Sequence, residues 1–194
     1  MIVLVGKSCS GKDSVAKILL SMGYHKIVTY TTRPKRDNER DGFDYNFVDK
    51  TTFMNMAYRM EFAEYRAYIT ENGVWYYGSK ISDYTEYRYN KKVIILTLEG
   101  LKSVRRLCPN MPITAIYLDV SNRELKRRMI NRANISGEDI KEVKRRYKAD
   151  KKDFKKVKKF VDYVVCNQNK DALETALICK ELDEIKEYNR KNKR

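Results

Sequence analysis

Near the start of the chain, Gly6-Lys7-Ser8-Cys9-Ser10-Gly11-Lys12 has the spacing GxxxxGK. Glycines at the first and sixth positions free the backbone to turn N–H groups inward around an anion, and a helix beginning at Lys12 adds the partial positive charge of its N-terminus. Lys12 itself can span β- and γ-phosphates. The chemistry implied is binding of a nucleoside triphosphate. A glycine-rich turn without a ligand is the alternative, and an apolar strand before the loop with a helix after it weighs against that. Position 13 departs from the pattern, because Asp13 stands where a serine or threonine hydroxyl ligates Mg²⁺. Three roles stay open for this end of the loop: the Asp13 carboxylate holds the cation, Ser14 substitutes through a small change of register, or Asp13 only stabilises the helix N-terminus.

A second set of residues could grip another phosphate. Val28-Thr29-Tyr30-Thr31-Thr32-Arg33-Pro34-Lys35-Arg36 forms an extended, proline-containing stretch, with Glu39, Gly42, Asp44, Tyr45 and Phe47 after it. Two arginines three apart can clamp one phosphate from two sides, and Tyr45 can add a hydroxyl to the same group. On their own these residues would equally make a solvated basic loop. Phe62-Ala63-Glu64-Tyr65 and Trp75-Tyr76-Tyr77-Gly78-Ser79 follow. A lone carboxylate, Glu64, among aromatic rings is a good partner for adjacent N–H groups, such as those on the N1/N2 edge of guanine.

Elements must hold these groups in place. Met1 to Val5 is a buried, strand-like run, and a helix is expected from Lys12 to about Met22, with Val15, Ile18, Leu19 and Met22 at helical spacing. Val93 to Leu98 and Ile113 to Val120 read as strands, followed by helices over Glu99 to Leu107 and Ser121 to about Arg132. Asp162 to Cys166 is the last expected strand. Lys170 to about Tyr188 is a closing helix with Leu173, Ala176, Leu177 and Ile185 on one face. This alternation predicts an α/β fold, a parallel sheet flanked by helices. Residues 31–80 interrupt it with many tyrosines, strand-like pieces at Tyr45 to Val48, Glu61 to Ala67 and Trp75 to Ser79, and a short helix near Thr52 to Arg59, which together predict a small inserted subdomain. Ala133 to Asp139 breaks a basic helical region with polar residues and a glycine, as a mobile lid would. Lys151 to Lys159 holds six lysines in nine positions, and Phe154, Val157 and Phe160 at intervals of three predict a helix with one buried stripe and a solvated basic face.

The 194 residues suit one such domain, and a hydrophobic fraction of 42% excludes a wholly disordered chain. Lys plus Arg number 41 against 26 Asp plus Glu, a formal charge of +15, so the partner is expected to be polyanionic. Without a recognisable readout module nucleic acid is not expected. The longest apolar run, Val93 to Leu98, is too short to cross a membrane. No signal-peptide pattern precedes Gly6, and cysteines at 9, 108, 166 and 179 show neither CxxC nor zinc spacing, which fits reduced thiols in a cytoplasm.

Taken in order, the phosphate loop, the TTRxxR and GxDYxF segments, the FxEY and YYGS pieces and the arginine-rich stretch beyond Ser121 resemble the guanylate kinases over essentially the full chain. The resemblance implies a phosphate-loop core over 1–30, 81–120 and 160–190, a mixed α/β insertion over 31–80 that holds a nucleoside monophosphate, and a helical lid region over 121–159. It implies ATP-dependent phosphorylation of GMP or dGMP with Mg²⁺, held near Asp13. Residues Gly6 to Ser14 and Asn167 would surround ATP. Arg33, Arg36, Tyr45 and Tyr77 would hold the acceptor phosphate, and Thr29, Glu64 and Ser79 the guanine pocket, with Thr29 in place of a typical serine. Lys12, Arg128, Arg132 and Arg146 would neutralise the transferring group, with Arg127 and Arg145 as adjacent competitors some 100° away around their helices. Thr97 stands where the family usually has an aspartate, bringing a hydroxyl but no charge, which suggests that acidic metal support moved to Asp13. A monophosphate kinase of broader range is one alternative, since Asp13 and Thr97 both depart from the pattern. A non-catalytic scaffold on the same fold is another, against which Gly6, Gly11 and Lys12 are intact.

Overall fold

The structure is a computed structural model that describes residues 1–70, 73–86, 91–136, 140–168 and 170–192, and for positions 136, 140, 142 and 146 the backbone alone. Chain order is β1 (Ile2–Val5), α1 (Lys12–Ser21), β2 (His25–Lys26), β3 (Tyr30–Thr31), β4 (Asn46–Phe47), α2 (Lys50–Tyr58), β5 (Phe62–Thr70) and β6 (Gly73–Lys80), then α3 (Ile81–Thr85), β7 (Lys92–Leu96) and α4 (Leu98–Leu107). The last part is β8 (Thr114–Asp119), α5 (Asn122–Ser136), α6 (Ile140–Asp153), a 3-10 turn (Val157–Lys159), β9 (Tyr163–Cys166) and α7 (Ala172–Lys191).

Strand β1 is apolar throughout because helices cover both of its faces. It is the centre of a parallel five-stranded sheet, order β2-β7-β1-β8-β9. Val3 and Val5 pack with Leu96, Tyr117 and the α4 residues Leu101 and Val104. Ile2 and Leu4 point to the other layer, against Val15 and Leu19 of α1 and Ala176 and Cys179 of α7. Alternate residues serve opposite layers, as strand geometry requires. A second sheet, β4-β3-β6-β5, is mixed and falls in the inserted segment. Its hairpin β5–β6 carries a bulge between Phe62 and Glu64, and Phe53 of α2 stacks on Phe62 with ring centres 4.5 Å apart. Asp49 caps α2 by accepting the Thr52 N–H at 2.8 Å. Among the described residues, no helix is long and apolar enough to cross a membrane.

Three expectations are corrected. On α7 the buried residues are Thr175, Ala176, Cys179 and Asp183, while Leu173, Leu177 and Ile185 are half exposed. Small side chains let α7 lie close on α1, and Asp183 is drawn in because Tyr24 and Thr114 hydroxyls donate to it at 3.0 and 2.5 Å. The lysine run is not one helix: α6 ends at Asp153, and bonds such as Phe160 N–H to Val157 O at 2.9 Å tighten Val157–Lys159 into a 3-10 turn. A spacing of three suits that tighter winding. Phe154 and Val157 are buried, but Phe160 lies at the surface with Lys102 Nζ 4.2 Å from its ring centre. The break expected from Ala133 is absent as far as Ser136: α5 continues, with Ala133 and Met129 packed on Val143 of α6. The rest of that expected lid segment, 137–139, lies outside the described residues.

Phe53 has no exposed surface and anchors the small core of the insertion. Phe53→Ala is expected to cost about 3–5 kcal/mol in urea unfolding, with the loss of hydrogen-exchange protection concentrated in β5 and β6. Uniform loss across both sheets would show that the insertion has no core of its own.

Candidate active site

Gly11 closes the phosphate loop and opens α1. Its φ is +93°, and a Cβ there would meet Asn167 Nδ2 at 2.5 Å, so a side chain is excluded by backbone and by space. At Gly6 a Cβ would lie 2.4 Å from Ser10 Oγ. Asn167, just past β9, donates Nδ2 to Ser10 O at 2.8 Å and accepts from Thr175 Oγ1 at 2.6 Å. Bracing Ser10 O from outside turns the Gly11 N–H, on the other edge of the same peptide, inward. Asn167, expected near ATP, sits beside the loop with its amide holding protein groups. Lys12 Nζ folds back to Lys7 O at 2.8 Å and Ser10 Oγ at 3.5 Å. Burial pushes its ammonium down, with the charges of Asp13 and Asp150 opposing. Asp13 and Ser14 are exposed in the first turn of α1. Cys9 adopts φ 60° and packs against the α5–α6 contact, so its side chain serves the lid helices.

The arginines expected at the transferring group have different surroundings. Arg128 is a strut behind the loop, donating to Asn167 O and Gln168 O at 3.0 Å each and to Cys9 O at 3.5 Å. Glu124, one turn earlier, orients it through Nε at 2.8 Å and also holds the exposed Arg127. Arg128 thus links the Cys9 carbonyl of the loop to the carbonyls that follow β9. Arg132 lies a turn further along α5, and its charge acts on Lys12. Arg146 is on α6, with its side chain outside the described residues.

In the insertion, Arg33, Tyr45 and Tyr77 come together. Arg33 is buried, pairs with Glu39 through Nη2 at 2.6 Å, and has its guanidinium 5.5 Å from the Tyr45 ring centre and 5.7 Å from that of Phe47. Tyr77 meets Tyr45 edge to face at 5.8 Å. Glu39 also accepts the Arg36 N–H at 2.9 Å, while the Arg36 side chain stays exposed. Thr29 is half-buried, its carbonyl accepting the Asn46 N–H at 2.9 Å. Glu64 Oε1 accepts from Ser79 Oγ at 2.8 Å, and Ser79 also bonds the Tyr84 hydroxyl at 2.7 Å. Burial holds the Glu64 carboxyl above its ordinary value, against the pull of Ser79 and Arg66. Glu64 Oε2 lies 3.2 Å from where a Gly100 Cβ would be. Thr97 caps α4, its hydroxyl oxygen accepting the Gly100 N–H at 3.1 Å.

A family model described as guanylate kinase matches residues 1–187. The chain is 34% identical to the guanylate kinase of Myxococcus xanthus over 173 residues, 87% of this chain and 79% of that one. The chain belongs to the guanylate kinase family. The guanylate kinase of Nitrosomonas europaea is 33% identical over 180 residues, 91% of this chain and 84% of that one. In fold, the guanylate kinase crystal structure from Anaplasma phagocytophilum matches with a TM-score of 0.67 at 22% identity, covering 97% of this chain and 85% of that one. Three residues of this family member carry no signal in the sequence motifs. Lys26 donates to Phe43 O and Asp44 O and lies 5.6 Å from the Tyr45 ring centre. Gly100 leaves the space beside Glu64. Asp150 accepts the Ser8 N–H at 2.6 Å, a contact no local spacing could announce.

Because the Glu64 carboxyl is raised, the folded chain keeps a proton that the unfolded chain has released, and the stability from that proton is lost as pH rises from the unfolded to the folded pKa. Glu64→Gln removes this titration. The variant is expected to gain stability relative to the parent as pH rises above the ordinary glutamate pKa, read by urea unfolding across that range. A difference that stays constant over that range would contradict the burial of the charge.

Proposed function

We propose that this guanylate kinase family member transfers the γ-phosphoryl group of ATP to GMP or dGMP. The observation that carries the proposal is the pairing, in one chain, of an intact phosphate loop with the Arg33–Tyr45–Tyr77 cluster and the half-buried Glu64 beside Ser79. The loop amides and Lys12 take the triphosphate. Arg33, with Arg36 and the two tyrosine hydroxyls, takes the acceptor phosphate, while Glu64 and Ser79 receive the base and Thr29 borders the pocket. The acceptor oxygen is already anionic near neutral pH, so no general base is required, and positioning with charge neutralisation carries the rate. Arg132 and Arg146 are assigned to the charge that develops on the transferring group. Arg128 keeps the loop in shape from behind. Four free cysteines fit a reducing cytoplasm.

Mg²⁺ is assigned to Asp13. This exposed carboxylate lies in the first turn of α1, next in sequence to Lys12 at the end of the phosphate loop. One carboxylate combined with phosphate oxygens and water suits this hard cation. When bound, Mg²⁺ withdraws charge from the phosphate oxygens.

The test is ADP release, by coupled assay, with ATP and a panel of GMP, dGMP, AMP, CMP, UMP and dTMP. Turnover confined to the two guanine nucleotides is the expected result; turnover across the panel points to a broader kinase, and none to a binding module. Glu64→Gln is expected to raise KM for GMP about 10–100-fold, as loss of hydrogen bonds to a charged group does, with KM for ATP nearly unchanged. For the metal, Asp13→Ala is expected to raise the Mg²⁺ concentration at half-maximal turnover about 10-fold, and an unchanged requirement would remove Asp13 as a ligand.

A further inference from the structure

Asp150 lies in none of the motifs, yet its Oδ2 accepts the Ser8 N–H at 2.6 Å across 142 residues of chain. This is a short, charge-assisted bond to an amide of the phosphate loop. Ser8 lies on the strand side of that loop. Lys12 Nζ folds back to the carbonyl of the adjacent Lys7, so the ammonium that reaches β- and γ-phosphates ends beside Ser8. The amides that open α1, at the far end of the loop, serve phosphates nearer the nucleoside. A carboxylate on Ser8 therefore takes a donor from the terminal phosphate and sets a like charge against it.

We propose that Asp150 is a built-in competitor for the terminal phosphate: its carboxylate holds the Ser8 N–H that the phosphate would otherwise take, and ATP binds by displacing it and α6 with it. This rests on ATP being the ligand of the loop. Helix α6 is linked to the loop a second time, because Val143 packs with Met129 and Ala133 of α5 in a cluster that Cys9 joins. Arg146 is four residues before Asp150, so the two positions share a helix face. Displacement of Asp150 withdraws an anion from the loop and shifts the helix face on which position 146 lies. The displaced carboxylate has a place to go. An open cleft of about 380 Å³ beside the loop is lined by Lys7, Tyr117, Asp119, Lys151 and Phe154 among others, and the charge of Asp150 already acts on Tyr117 as well as on Lys12.

Removing a competitor raises the binding-competent fraction and tightens apparent affinity by the same factor. Calorimetric titration of the full chain with the β,γ-imido analogue of ATP, with ADP and with GMP provides the test. Asp150→Asn and Asp150→Ala are expected to tighten the triphosphate analogue about 3–10-fold, ADP less than about 2-fold, and GMP not at all. The isosteric asparagine keeps the comparison available if the alanine variant folds poorly. Unchanged or weaker binding of the triphosphate, or equal tightening of ADP and triphosphate, overturns the proposal while leaving the ATP assignment intact. If neither the parent nor the variants bind the triphosphate, the assignment of the loop falls and the proposal with it.

Discussion

A left-handed turn at Gly11, braced from outside, is the constraint on which the site depends. Peptide groups carry a donor and an acceptor on opposite edges, so a loop that binds phosphate through its N–H groups must keep its carbonyls turned away. The chain enforces this with groups from distant elements: Asn167 on Ser10 O, Thr175 on Asn167, and Arg128 on the carbonyls of Cys9, Asn167 and Gln168. Strand β9 lies beside β8 and delivers Asn167, while α7 packs on α1 and delivers Thr175. The order of the parallel sheet is thus what brings a residue near the end of the chain against a loop near its beginning. Fixing the loop before the ligand arrives removes an ordering cost from binding.

The cations at the site are held by the same logic. Arg33 is kept by Glu39, and Arg128 by Glu124, whose carboxyl Arg127 and Arg128 pull down to about 2. Each carboxylate sets a guanidinium in one orientation, Arg33 beside the Tyr45 ring and Arg128 beside the Cys9 carbonyl, so little side-chain entropy remains to be lost there. This separates the functional charge from the bulk of the +15. The lysines of 151–159 are exposed around two buried anchors, Phe154 and Val157, and the proposed reaction does not require them.

What could be read from the sequence was what local pattern encodes. Runs that are apolar on both faces, such as Ile2 to Val5, have few alternatives to a central strand. The phosphate loop is contiguous, and the acceptor residues keep their order. Faces and partners were less accessible. On α7 hydrophobicity pointed to Leu173 and Leu177, but close packing on α1 selected Ala176 and Cys179. The spacing of Phe154, Val157 and Phe160 fits an α-helix and a 3-10 turn alike. Arg128 is singled out over Arg127 by the family resemblance, yet which groups it meets depends on Glu124 and on the loop itself. Asp150 could not be anticipated, since its partner is fixed by how two lid helices rest on the loop.

In the proposed pocket, selectivity for the base would follow from the cost of a partly buried carboxylate. Glu64 accepts from Ser79 on one oxygen, while the other faces the first turn of α4 in space that exists because residue 100 is glycine. Glycine inside a helix costs about 1 kcal/mol relative to alanine, so that space is maintained against local preference. The N-terminus of α4, capped by Thr97, turns its positive end toward this region and offsets part of the desolvation. Burial nevertheless dominates, as the raised Glu64 carboxyl shows. In the proposed pocket a base that presents adjacent N–H groups relieves that cost, whereas one presenting an acceptor there adds to it. Discrimination by a polar group left without its partner is steeper than any that shape alone provides. Thr97 holds the helix end through its hydroxyl and brings no charge, so in the proposed pocket the carboxylate available to the base is that of Glu64.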